Sequence, residues 1–122
     1  MSFVINKIDH VQLAMPKGME DEARKFYDDI LGLEEVEKPE PLRDRGGVWF
    51  SRGAVHLHLG VEELFVPAKK AHPAFEVHQI EEFKRYLSSQ AVEYKVDENL
   101  PGANRIYVSD PFGNRLEFLE WV

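Results

Sequence analysis

Ile106-Tyr107-Val108-Ser109-Asp110-Pro111-Phe112-Gly113-Asn114-Arg115-Leu116-Glu117-Phe118-Leu119-Glu120-Trp121 reads as two strands, 106–108 and 115–121, around a turn. Pro111 presets one turn dihedral, and Gly113-Asn114 tolerates positive φ. Side chains alternate along a strand, so Leu116 and Phe118 share one face and Glu117 takes the other. The same design stands earlier in the chain. Residues 48–51 and 54–61 read as two strands about a tight Arg52-Gly53 turn, and there Leu57 and Leu59 lie opposite His58.

Working outward, each hairpin is preceded by a strand and a helix. Residues 8–15 alternate, with Asp9, Val11, Leu13 and Met15 on one side and Ile8, His10, Gln12 and Ala14 on the other. Pro16 and Gly18 end that strand. Met19, Ala23, Phe26, Tyr27, Ile30 and Leu31 then recur as one stripe of an amphipathic helix, which Gly32 closes as a left-handed cap. Residues 33–36 form a short strand and 38–47 a loop rich in Pro, Gly and charge. In the second half, 71–77 is a strand, Ile80, Phe83 and Leu87 give a helical stripe, and 91–96 is a further strand before the hairpin.

The halves therefore repeat one order. His72 follows His10 by 62 residues, and Glu117 follows His58 by 59. Trp49 and Tyr107 occupy matching places. Val11 and Leu13 oppose His10, and Phe75 and Val77 oppose His72. All four polar residues thus face away from their helical layers, and they converge if the two sheets curl toward one another.

Composition narrows the functional classes. The 122-residue length suits one domain, residues 1–122, of two halves spanning 5–61 and 71–122. The absence of cysteine excludes disulfides, thiolate catalysis, iron–sulfur clusters and Cys-type zinc sites. With 15 Lys plus Arg against 22 Asp plus Glu, the net charge of −7 argues against nucleic-acid and anionic-membrane partners. No apolar run is long enough for a membrane span, and no signal-type segment opens the chain, so a cytoplasmic location is the expectation.

Three imidazoles and a carboxylate make a reasonable set of ligands for zinc, nickel, cobalt, manganese or iron(II). Such an ion polarises a carbonyl or enolate oxygen or lowers the pKa of a bound water. His10, His72 and Glu117 alone would form a two-histidine, one-carboxylate triad suited to iron(II) and O₂, whereas His58 as a fourth ligand favours Lewis-acid chemistry. Plainer readings compete at each position. A strand histidine is commonly a hydrogen-bonded structural residue, and Glu117 could pair with Arg105 or Arg115. His56 shares the face of His58 and could replace it as ligand or shuttle protons. His78, at a strand end, is expected at the surface or in a cap. Glu76 shares the face of His72 and is a candidate general base beside Glu117. Arg52, Arg105 and Arg115 could bind an anionic substrate.

The chain resembles the glyoxalase, bleomycin-resistance and extradiol-dioxygenase superfamily, the vicinal oxygen chelate fold. Ile8-Asp9-His10-Val11 resembles its opening strand, and Phe26-Tyr27-Asp28-Asp29-Ile30-Leu31-Gly32-Leu33 its first helix end. Val55-His56-Leu57-His58-Leu59 and Ala71-His72-Pro73-Ala74-Phe75-Glu76-Val77 resemble its fourth and fifth strands, and residues 108–118 its closing hairpin. The resemblance implies an α+β fold of paired βαβββ modules, forming a curved mixed sheet around a cavity. It carries the metal ligands onto His10, His58, His72 and Glu117, with Glu117 able to dissociate and act as base. Glyoxalase I enzymes commonly have an acidic residue at the position of His58, a departure here. The implied function is a divalent-metal-dependent lyase, isomerase or transferase on a small vicinally oxygenated substrate. A metal-free antibiotic-binding resistance protein and an iron(II) extradiol-type dioxygenase are the alternatives. Many short members of the family are homodimers whose two chains build each cavity, and the short linker, 62–70, and the size of each half point to a domain-swapped or side-by-side homodimer with two equivalent sites, each built within one chain or across two.

Overall fold

The computed structural model describes residues 2–122. Strand β1 (Val11–Met15) leads into helix α1 (Glu20–Ala23), which continues as a π-helix over Arg24–Ile30. Strands β2 (Glu34–Val36), β3 (Val48–Arg52) and β4 (Val55–Val61) follow, with a 3₁₀ turn at Glu40–Arg45. The second module runs β5 (Ala74–Glu76), α2 (Ile80–Ser89), β6 (Lys95–Asp97), β7 (Ala103–Ser109) and β8 (Arg115–Trp121). Both modules are thus βαβββ. They build two four-stranded mixed sheets, ordered β1-β4-β3-β2 and β5-β8-β7-β6. In each, the first strand runs parallel to the fourth, with Gln12 opposite His58 and Ala74 opposite Glu117. Among the described residues no helix is long and apolar enough to cross a membrane.

Several boundaries differ from the sequence reading, each for a local reason. β1 and β5 start three residues late, so His10 and His72 precede their strands. The 38–47 segment holds a 3₁₀ turn, begun after Pro39 by Leu42 N–H bonding to the Pro39 carbonyl. Ala91 takes a positive φ of 58° and Val92 N–H returns to the Leu87 carbonyl. Closing α2 uses up the start of the strand expected at 91–96. Gly32, at φ 76°, does cap the first helix, with Leu33 N–H reaching the Tyr27 carbonyl six residues back.

The alternation is realised in packing. Leu13, Met15, Val48, Phe50, Leu57 and Leu59 of the first sheet are buried, as are Ile106, Val108, Leu116 and Phe118 of the second. These faces share one core with Ala23, Phe26, Tyr27 and Leu87 from the helices. Polar ties cross the same layer. The buried Tyr27 hydroxyl donates to Asp110 Oδ2 at 2.6 Å, and Tyr86 donates to the Ile30 carbonyl at 2.7 Å. Asn114 in the β7–β8 turn donates to the Ala14 carbonyl and accepts from Ala68 N–H, joining β8 to the end of β1 and to the linker. The helices therefore lie between the sheets, and the opposite sheet faces point away from the common core.

Candidate metal centre

The candidate ligands fall on those two outward faces, as two pairs. On the first sheet, the His58 ring stacks on Trp49, its partner across β3, at 3.8 Å between centroids and 3° between planes. His10 stacks on the other side of His58 at 4.2 Å and 18°. Imidazole lone pairs lie in the ring plane, and near-parallel planes 4.2 Å apart keep those of His10 and His58 from a common nearby point. His10 Nδ1–H donates to Asp9 Oδ2 at 2.9 Å, which leaves Nε2 as the free acceptor. Burial, and secondarily the charge of neighbouring His10, hold His58 below the ordinary histidine value of 6.5, favouring the neutral, ligating form. His56 lies on the same face, exposed, opposite Ser51.

On the second sheet, His72 Nε2 stands 2.9 Å from Glu117 Oε1. His72 Nδ1 is 2.8 Å from the Lys70 carbonyl. A carbonyl can only accept, so Nδ1 carries the hydrogen and, in the neutral ring, Nε2 presents a lone pair to the carboxylate. Two lone pairs at that distance require a proton or a cation between them. Glu117 is buried at 6 % exposure, although it points away from the core. Arg105 covers it, with Nη1 at 3.5 Å from Oε2, and is itself tied to Asp97 Oδ1 at 3.1 Å. Tyr107, opposite Glu117 in register, meets the His72 ring edge-on at 5.5 Å.

Among the described residues no three His, Asp or Glu side chains gather within the chain to hold a metal. The expected convergence of four residues thus gives way to two half-sets, because each sheet buries its other face in the shared core. The donor types nevertheless fit a first-row divalent ion: imidazoles on both halves and, on the second, a shielded carboxylate. In each half a histidine also has its far nitrogen fixed by an oxygen, the outer support that orients metal-ligating histidines. Glu76 is exposed, one pleat repeat along β5 from the Ala74–Glu117 pair, and bonds to neither His72 nor Glu117. His78 is exposed, as expected, and Arg52 bonds the Gly32 carbonyl.

Three participants escaped the sequence reading. Asp9 seemed to face the core by alternation, but residue 9 precedes the strand and is free to reach His10. The Lys70 carbonyl is a backbone group with no signature. The Asp97–Arg105 pair depends on the β6–β7 register, in which the two are directly opposed.

The model of the Glyoxalase/Bleomycin resistance protein/Dioxygenase superfamily matches residues 7–118. No curated protein matches. Among solved structures, a Bacillus anthracis protein assigned to the glyoxalase family is 53 % identical over 100 % of both chains, with a TM-score of 0.97. A lactoylglutathione lyase from Agrobacterium tumefaciens is 23 % identical, with a TM-score of 0.74 over 93 % of this chain and 92 % of that one. The fosfomycin resistance protein FosX from Listeria monocytogenes is 16 % identical, with a TM-score of 0.76 over 98 % and 96 %. The last two are likenesses of fold.

Proposed function

Because the chain belongs to the Glyoxalase/Bleomycin resistance protein/Dioxygenase superfamily and has the vicinal oxygen chelate fold, we propose that it is a divalent-metal-dependent enzyme of glyoxalase type, a lyase, isomerase or transferase acting on a small vicinally oxygenated substrate. The observation that carries this reading is His72 Nε2 standing 2.9 Å from Glu117 Oε1, with the other imidazole nitrogen committed to a carbonyl. His72 and Glu117 of one chain would hold the ion together with His10 of a second copy. His58 of that copy would become the fourth donor when its ring leaves the Trp49 stack. A divalent transition metal bound there would supply Lewis-acid polarisation of a substrate oxygen.

The chain's own groups would do the rest. Glu117 is the carboxylate placed to take or return a substrate proton, and Arg105 holds its second oxygen. Glu76, on the same face, is the second candidate base. Asp9 and the Lys70 carbonyl engage Nδ1 of His10 and His72, which leaves Nε2 of each as the nitrogen available to a metal.

The placement of the half-sets on two outward faces supports a homodimer in which one copy completes the half-set of the other. β1 and β5 are both edge strands, and a groove of about 650 Å³ runs along residues of both. The arm before β1 leaves Phe3, Val4, Ile5 and Ile8 exposed, apolar surface that association would cover.

Mixing two inactive variants tests the reading. One carries His10→Ala with His58→Ala, and the other His72→Ala with Glu117→Gln. Neither homodimer should retain metal. Refolded together, about half the chains enter mixed dimers, each with one intact site of two, so about a quarter of the wild-type capacity for Zn²⁺ or Ni²⁺ should return. No recovery from mixed dimers of confirmed mass would overturn the shared site, and no metal uptake by the wild type would overturn the enzyme reading.

A further inference from the structure

The outer face of the second sheet holds cations that the proposed metal site does not use. Arg115 lies two residues before Glu117 on the same face of β8. Its guanidinium carbon stands over the Tyr107 ring, 3.8 Å from the centroid. Among the described residues no carboxylate pairs with it and no side-chain hydrogen bond engages it; only its backbone N–H is bonded, to the Ala68 carbonyl. Lys95 is opposite Tyr107 in the β6–β7 register and so shares this face. Lys69 follows Ala68. Together with Tyr107 and Ser109 these side chains line a groove of about 470 Å³. Two carboxylates of this face are already engaged, Asp97 by Arg105 and Glu117 by His72 and Arg105. Three cations thus stand unpaired around one groove of a protein whose net charge is −7.

The repeat shows that this charge is local to one wall. At the places of Lys95, Arg105 and Arg115, the first module has Val36, Gly47 and His56. Gly47 admits no side chain at all: its φ is 82°, and a Cβ would sit 2.2 Å from the Leu59 carbonyl. The first sheet offers stacked rings where the second offers cations.

We propose that Arg115, with Lys95 and Lys69, is an anion subsite for the substrate, which therefore ends in a small oxyanion, a carboxylate or a phosphonyl group. This rests on the reading that the second sheet's outer face is one wall of the active site. An arginine stacked on an aromatic face keeps its fork of N–H donors free and fixed, the geometry that binds two oxygens of an oxyanion side by side. Lysines at the rim add charge without fixing orientation. Arg115 and Glu117 leave β8 on one face a pleat repeat, about 7 Å, apart, so an anion held by Arg115 would share that face with the proposed base.

The test is titration of the full-length protein at low ionic strength, without metal, with acetate and separately with methylphosphonate. The Arg115 Nε–Hε resonance is followed, and affinity is measured calorimetrically. At least one anion should shift that resonance saturably. Its affinity should fall about tenfold or more in Arg115→Gln and by a smaller factor in Lys95→Gln. Arg24→Gln, which removes a cation already paired with Glu35 and Asp21, should bind the anion as the wild type does. Whichever anion binds more tightly identifies the oxyanion class. Binding of neither, or equal binding by the wild type and Arg115→Gln, would overturn the inference. Zn²⁺ uptake, measured on the same samples, should survive in Arg115→Gln. Anion binding by a wild type that takes up no metal would refute the enzyme reading and leave the subsite standing.

Discussion

At the level of single residues, the two histidines of the first sheet are held differently, and that difference sets their order of importance. His10 is half-exposed, with Nδ1 fixed by Asp9 and Nε2 free. His58 lies between His10 and Trp49, and would lose two stacked contacts by turning out. His10→Ala should therefore lower Zn²⁺ affinity by about a hundredfold or more, His58→Ala by less than about tenfold, and His56→Ala scarcely at all. Competition with a chromogenic chelator measures all three. Equal losses for His10→Ala and His58→Ala would make His58 a full ligand in the native site. Sequence alone could place these residues on one face, since parity does that. It could not say that two of them stack, because the stack depends on where the strand ends and on the register against Trp49.

At the level of elements, the joint between β8 and α2 carries a pH dependence. Gln79, just ahead of α2, takes a left-handed φ of 60° and offers no side-chain cap. Glu120 of β8 supplies one from across the module, accepting from Gln79 N–H at 2.8 Å and from Ile80 N–H at 3.0 Å. Those two bonds hold its carboxyl below the ordinary value of 4.5, with a small contribution from His78. A depressed carboxylate stabilises the fold fully above its unfolded pKa, and the contribution is lost as pH falls through the lowered native value. The urea midpoints of the wild type and Glu120→Gln should thus differ at pH 7 and converge toward pH 3. A constant gap would show that the cap acts without its charge. This joint was illegible in the sequence, where Glu120 is one more polar residue on an alternating strand. The strands and both helices were legible because apolar period alone defines them. Their ends were not, because Pro39, Ala91 and the unpaired edges of β1 and β5 set them locally.

For the whole molecule, the decisive fact is that the modules bury their inner faces in one core. Tyr27 and Asp110, Tyr86 and Ile30, and Asn114 and Ala14 tie the two modules together through that layer. The sequence suggested a duplicated fold, and parity gave the outward face of His58 and Glu117, which lie within their strands. Whether the four residues meet within one chain or between two was not legible, because it depends on the relative placement of the modules, which no local pattern encodes. If metal completes its site only between copies, it must also strengthen their association. A metal ion at a hundredfold excess over its dissociation constant adds about 2.7 kcal/mol per site to the assembled state. Sedimentation at dilute protein should show the dimer dissociating more readily with chelator than with Zn²⁺. A dimer constant unaffected by metal would place the ligands elsewhere.

Two complementary half-sites that face away from each other make the chain a two-ended connector. When two copies satisfy both ends reciprocally, the assembly closes and stops growing. If the exposed arm before β1 or an edge strand were altered so that closure failed, each end would recruit a fresh copy, and the same ligands would lay down an open metal-linked filament. On the proposed reading, the geometry that would build two sites at once would therefore also be what stops the assembly from growing.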